Sequence, residues 1–255
     1  MLELTVTSFA LVAVLPLLLI AAVGIRLASP GPVLYLARRI GRDRRRSAPD
    51  SPQSIHMPER RRGGYRGREF TMYKFRTMRV ASEDGAEPIT AWKDSRVFRL
   101  GAFLRATKMD ELPQLFNIMK GDMSLVGPRP EAPEIVRHHY LGEDLETLQV
   151  RPGLTSPGTL YYYMHCEPIL AGNEVTQLYA DRVLPTKLAL DLVYVRNASL
   201  GYDVRILLRT VRVLAARAVG RRRFPEVPEM AFLQRRPGAT RREDGCDASR
   251  IAISR

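Results

Sequence analysis

Asp110 and Glu111 stand side by side in "KMDELPQLFNIMKGDMSLVGPRPE", residues 108–131, with Arg105 just upstream and Arg129 braced in a Gly-Pro-Arg-Pro turn. Adjacent carboxylates can divide a reaction at phosphorus. One attacks as an aspartyl nucleophile, and the other binds Mg²⁺, which screens the repulsion between a carboxylate and a diphosphate. Arg105 and Arg129 supply planar forks for phosphate oxygens. The same residues admit a purely structural role. Asp110 can cap the helix that the spacing of Leu112, Leu115, Phe116 and Met119 predicts, with Pro113 in its first turn. Acidic residues there complement the helix N-terminus, a position that also attracts phosphate and a cation held with it.

Three elements must position this pair. "EFTMYKFRTM" alternates as a strand, with Phe70, Met72 and Lys74 on one face and Thr71, Tyr73 and Phe75 on the other. Lys74 and Arg76 are its departures from a plain strand. "SRVFRLGAFLRATK" sets Val97, Leu100 and Leu104 at helical spacing, with Arg96, Arg99, Arg105 and Lys108 adding charge. Near the C-terminus, Val204, Leu207, Leu208, Val211 and Leu214 form a second stripe, with Arg205, Arg209 and Arg212 opposite. Both helices suit a membrane interface, and both equally suit packing on a soluble core with a solvated basic face.

Upstream, no charge occurs between Glu3 and Arg26, about the 20 residues needed to cross a bilayer core. The run lacks a basic n-region and a small-residue cleavage pattern, which separates it from a secretory signal. Pro16, near its middle, removes a backbone donor and predicts a kink: either a bent span or a helix that breaks, re-enters and leaves on the same side. Arg26, Arg38, Arg39, Arg42 and Arg44 to Arg46 place the C-terminal side in the cytoplasm under either topology.

Lys plus Arg number 40 against 27 Asp plus Glu, a net +13 that calls for anionic partners. Cys166 and Cys246 indicate neither a disulfide framework nor a cysteine zinc site, and fit a reducing, cytoplasm-facing location. Residues 43–68 read as a basic loop that solvates or lies on anionic lipid, with too few aromatics for a nucleic-acid arm. Residues 224–255 read as a flexible or loosely docked basic tail. Tyr161 to Tyr163 could stack on a base or sugar, or serve in packing and interface anchoring. The phosphate-loop, G-x-G-x-x-G and H-E-x-x-H motifs are absent.

The run "DELPQLFNIMKGDMSLVGPRPE", together with "YKFRTM", "RPGLT" and "LALDLVYVRNASL", resembles the bacterial sugar transferases, the monotopic polyprenyl-phosphate sugar-1-phosphate transferases. The similarity covers residues 16–214, interrupted by the basic loop. The resemblance implies a small catalytic domain at the bacterial inner membrane, facing the cytoplasm, that moves a sugar 1-phosphate from a UDP-sugar to polyprenyl (undecaprenyl) phosphate and releases UMP. It assigns Asp110 as nucleophile and Glu111 as the Mg²⁺ partner, with Mn²⁺ an alternative ion. It also matches Arg105, Arg129, Arg151 and Asp191 to family positions. Three departures stand out: Leu15-Pro16 replaces the usual Ser-Pro break, the 43–68 loop is long, and "SPGTLYYYMHCEP" replaces the usual run after "RPGLT". The donor sugar does not transfer across that last departure.

The expected fold is therefore α/β: a re-entrant membrane helix over residues 1–28, a catalytic domain over 29–223 with amphipathic interfacial helices, then the tail. Two other classes compete. A membrane-tethered binder of anionic lipid or nucleic acid would work without Asp110, though no nucleic-acid partner is expected; a glycosyltransferase moving the sugar alone would release UDP.

Overall fold

An apolar run with one internal proline and no charge for 22 residues satisfies its backbone in lipid as a helix, and it forms one. In the computed structural model, which describes residues 2–43, 67–79, 94–167, 170, 175–221 and 223–234, this is α1, Leu2–Ala28. It is long and apolar enough to cross a membrane, and it is unbroken at Pro16. Phe9, Val12, Ile20, Val23 and Leu27 are exposed along one side. Leu18, Ala21 and Ile25 on the other side are buried against Phe75, Phe98 and Leu104.

The expected turn at Ser29 to Pro32 leads into β1 (Leu34–Ile40), which pairs antiparallel with β2 (Glu69–Phe75) from Leu34 opposite Phe75 to Ile40 opposite Glu69. Then come α2 (Arg99–Thr107), a 3₁₀ turn at Met109–Glu111, α3 (Gln114–Met119), β3 (Ser124–Val126) and α4 (Pro133–His139). A 3₁₀ segment at Gly142–Gln149 precedes β4 (Gly153–Thr155) and α5 (Pro157–Tyr161). Single π-turns at Tyr162–Cys166 and Tyr179–Val183 flank α6 (Val175–Leu178). Helices α7 (Leu184–Asn197), α8 (Leu200–Ala218) and α9 (Met230–Gln234) complete the order.

The fold is mixed α/β but helix-rich, with two two-stranded sheets among the described residues. The larger core gathers α4, α5, α7 and α8 around Ile135, Leu160, Leu184, Leu190 and Ile206. Most of the 43–68 loop, Cys246 and the tail beyond residue 234 lie outside the described residues. The start of the tail is docked: Val227 and Glu229 are buried, and Glu229 pairs with Arg209 at 2.7 Å.

Strands β3 and β4 are parallel and short, and two glycines meet at their ends. Gly127, of the Gly-Pro-Arg-Pro turn, and Gly153, of "RPG", pack backbone to backbone: a Cβ on Gly153 would lie 2.1 Å from Gly127 N. The Gly127 amide donates to Thr155 O and the Gly153 amide to Pro128 O, both at 2.9 Å. That clasp fixes the loop carrying Arg129.

Two helical stripes differ from the periodicity reading. On α3, Leu115 is buried, yet Phe116 and Met119 are exposed, and Gln114, Asn117 and Ile118 point inward. Asn117 explains the rotation, since its amide donates to Thr71 O at 2.7 Å and accepts from Tyr73 N at 3.0 Å, pinning α3 to β2. On α8, Val204, Leu208 and Val211 face outward while Ile206 packs inward. Spacing marks an apolar face but not which side the core takes.

Candidate active site

The dyad sits in the 3₁₀ turn Met109–Glu111 rather than at a helix cap. Lys108 ends α2 in the left-handed region, at φ 58°, where a non-glycine residue is uncommon. This reversal lets both carboxylates point inward, at 4% exposure for Asp110 and 5% for Glu111. Helix α3 begins after Pro113, and Asp110 makes no capping bond to it.

Burying two adjacent carboxylates is costly without positive partners. Two cations and a tyrosine hydroxyl converge here from distant segments. Lys74 Nζ, from β2, lies 3.2 Å from Asp110 Oδ2 and 3.3 Å from Glu111 Oε1. Arg129 donates to Glu111 through both arms, NH2 to Oε1 at 2.7 Å and NH1 to Oε2 at 2.9 Å. The Tyr163 hydroxyl donates to Glu111 Oε2 at 3.1 Å. Burial opposes ionisation of Glu111, but Arg129 and then Lys74 outweigh it and hold its carboxyl well below the usual range. Glu111 is a carboxylate at any working pH.

Asp110 is treated differently. Its Oδ1 is buried with no hydrogen-bond partner, a rare condition for a native carboxylate. Around it, Lys108 stands 4.0 Å over the Tyr163 ring and pairs with Glu167, which also takes Arg217 at 2.6 Å. Arg217 further donates to the Tyr163 carbonyl, so α8 and the π-turn hold Tyr163 against Glu111.

The remaining candidate residues are spread out. Arg105 is near the turn but bonds Thr77 Oγ1 at 2.7 Å, not the dyad. Arg76 is buried, and its guanidinium is committed to Ser29, Pro32 and Met78, tying the exit of α1 to β2. Arg151 lines a separate surface cavity with Arg42, Arg68, Phe70 and Asp122, and reaches Glu3 only at 3.9 Å. Asp191 is buried in α7 and accepts from Gly158 N at 3.1 Å, against a glycine whose Cβ would lie 2.6 Å from Oδ1. It shapes the start of α5. Sequence reasoning missed Tyr163, Lys108 and Glu167 as site residues, because each meets the dyad or its neighbours across more than fifty residues.

The profile of the bacterial sugar transferases matches residues 50–217. The chain belongs to this bacterial sugar transferase family. Among its curated relatives, the UDP-glucose:undecaprenyl-phosphate glucose-1-phosphate transferase of Xanthomonas campestris is 36% identical over 80% of this chain and 36% of its own. The Caulobacter vibrioides protein of the same name is 37% identical over 77% of this chain and 61% of its own. The UDP-N-acetylgalactosamine-undecaprenyl-phosphate N-acetylgalactosaminephosphotransferase of Aeromonas hydrophila is 34% identical, covering 78% and 39% respectively. This sugar transferase chain therefore spans between about a third and three fifths of those relatives' lengths.

Burial raises the Asp191 carboxyl from 3.8 to about 6, against the opposing pull of Lys187, Ser156 and the Gly158 amide. Between those two values the unfolded chain ionises while the folded chain keeps the proton, so stability falls as pH rises through the window. The full penalty, about 3 kcal/mol, stands above pH 6. Asp191→Asn removes that titration and retains the oxygen facing Gly158. The melting temperature of the variant minus that of wild type should climb from pH 4 to pH 6.5 and then level off. A pH-independent difference overturns the assignment.

Proposed function

We propose that the chain transfers a sugar 1-phosphate from a UDP-sugar to undecaprenyl phosphate and releases UMP. The observation carrying this reading is Asp110: a buried carboxylate with one unpartnered oxygen, paired with Lys74 and adjacent to the Glu111 carboxylate that Arg129 holds. The names of the relatives support the reaction class. They differ in the sugar moved, so the donor is left to experiment.

In the first step, Asp110 Oδ1 attacks the phosphorus bearing the sugar. An aspartyl oxygen to phosphorus bond forms, the bond from that phosphorus to the UMP oxygen breaks, and UMP leaves with the electron pair. In the second, an oxygen of the polyprenyl phosphate attacks the same phosphorus and the aspartyl bond breaks, restoring the carboxylate. Splitting the transfer lets a water-soluble donor and a lipid acceptor use one site in turn. Arg129, held rigid by Glu111 and the proline-braced turn, contributes fixed positive charge for the departing phosphate.

Mg²⁺ fits this donor set. Asp110 Oδ1 is a buried acceptor without a donor, and among the described residues no cluster of three or more carboxylates, histidines or cysteines could hold a metal alone. One or two carboxylates completed by substrate phosphates is the usual arrangement for this ion. Glu111, beside Asp110, would hold Mg²⁺ or Mn²⁺, and the ion when bound screens charge on the diphosphate.

Helix α1 is read as bending at Pro16 while its helical run continues, so that it enters one leaflet and returns. Glu3 at its start accepts from Leu125 N at 2.6 Å and from Ser124, while Arg76 holds Ser29 at its end. Both ends thus rest on the same catalytic domain. The outward apolar residues of α8, with Phe116 and Met119, extend the lipid-facing surface, and the basic stretch after α1 sets that domain on the cytoplasmic side of the inner membrane.

Product identity tests the reading. Detergent-solubilised protein with Mg²⁺ and undecaprenyl phosphate should release UMP from at least one member of a UDP-sugar panel. UDP in its place would assign a glycosyltransferase.

A further inference from the structure

Glu111 has no free oxygen lone pair to offer. Oε1 receives Arg129 and Lys74, and Oε2 receives Arg129 and Tyr163, four contacts that fill the acceptor sites of a carboxylate. A divalent cation at this carboxylate must therefore replace one of them.

The three donors are not equally replaceable. Arg129 is bidentate, with its shortest contact at 2.7 Å, and is carried on a turn with a proline on each side. Tyr163 is 5% exposed and its main-chain carbonyl is held by Arg217. Lys74 makes the longest contacts, 3.2 and 3.3 Å, through a single ammonium on a flexible four-carbon stem, so it is the donor most readily displaced. Its ammonium also bridges both carboxylates, the place where a cation serving both would lie.

We propose that the Lys74 ammonium and the divalent cation exclude one another at the Asp110–Glu111 pair, so that Lys74 keeps cation affinity low until a diphosphate arrives. The inference rests on the dyad being the cation site. A diphosphate resolves the competition: its oxygens complete the coordination of the metal and offer the displaced ammonium a new anionic partner. The cation then enters as a complex with the nucleotide donor, and the protein alone does not retain it. Before that, Lys74 keeps Asp110 paired and buried without a metal.

Mn²⁺ titrations of the detergent-solubilised full chain, read by the electron paramagnetic resonance signal of the free ion without nucleotide, test this directly. Removing a unit charge some 3 Å from the site should tighten the Mn²⁺ dissociation constant of Lys74→Gln by ~10-fold or more relative to wild type. Lys74→Arg should not tighten it. Adding UDP should improve affinity more for wild type than for Lys74→Gln. Lys74→Met serves as a second neutral variant, with circular dichroism melts to verify folding. If Glu111→Gln removes Mn²⁺ binding while the two neutral Lys74 variants bind no more tightly than wild type, the Lys74 inference fails and the dyad reading stands. If Glu111→Gln leaves binding in Lys74→Gln untouched, the dyad is not the cation site and the reading beneath the inference fails.

Discussion

Asp110→Asn should cut UMP release by ~10⁴-fold or more while leaving the protein folded. The substitution keeps the volume of the side chain and an oxygen near Lys74, so the packing of Met109 and Leu112 on either side is undisturbed. What it removes is a carboxylate oxygen able to form and release a bond to phosphorus. Two readouts separate this from a generic loss of charge. Wild type given labelled UDP-sugar without acceptor should retain label on the peptide containing Asp110, and the variant should retain none. Glu111→Gln should also be slow, but any label it acquires must still map to Asp110. Undiminished UMP release by Asp110→Asn would sink the nucleophile assignment, whatever the relatives do.

The second large effect lies away from the dyad. Lys187 is the largest fully buried side chain, and its ammonium pairs with Glu131 while also meeting the Tyr179 hydroxyl at 3.2 Å. Tyr179 in turn donates to Glu131 at 2.6 Å. Burial opposes ionisation of Glu131, and Lys187 with Tyr179 overcomes it, so the carboxyl stays below its ordinary range. Lys187→Met leaves that charge buried with one hydroxyl and should destabilise the fold by about 3–5 kcal/mol. Glu131 closes the Gly-Pro-Arg-Pro-Glu run, so its release also loosens the loop that aims Arg129. The double replacement Lys187→Met with Glu131→Gln should recover most of the lost stability, since no charge is then stranded. A melt of Lys187→Met within about 1 kcal/mol of wild type would show that the pair is not load sharing in this way.

These two predictions draw on very different amounts of sequence information. The chemistry of Asp110 is visible from neighbouring residue types, and β2 forms over the expected run, although it buries Met72 and Phe75, one from each of its faces; Lys74 reaches the dyad from this strand. Local rules failed where long-range packing outranked them. A cap was expected of Asp110 because a proline and an apolar stripe follow it, yet the left-handed turn at Lys108 sends the side chain inward before the helix begins. Phe116 and Met119 suit a core stripe by spacing, and no periodicity can say that an apolar face looks outward. Tyr163 reads as a base or sugar stacker, or as packing or an interface anchor, in a run of three tyrosines, and only the fold brings its hydroxyl to Glu111. Lys187 offered no signal, being a lysine at a helical position like many that face solvent.

Helix α1, long and apolar enough to cross a membrane, is also part of the catalytic domain's packing. Leu18, Ala21 and Ile25 form one side of an apolar cluster whose other side includes Met109 and Leu112, the residues immediately flanking the two carboxylates. Leu11 and Val14 also close against the Leu115 and Ile118 cluster of α3. A chain beginning after residue 28 would expose both surfaces to water and unseat the turn that carries Asp110. Trimming the hydrophobic segment is therefore no route to a soluble form of this protein. On the proposed reading, the height of Asp110 relative to the lipid is built into the packing rather than set by the length of a tether.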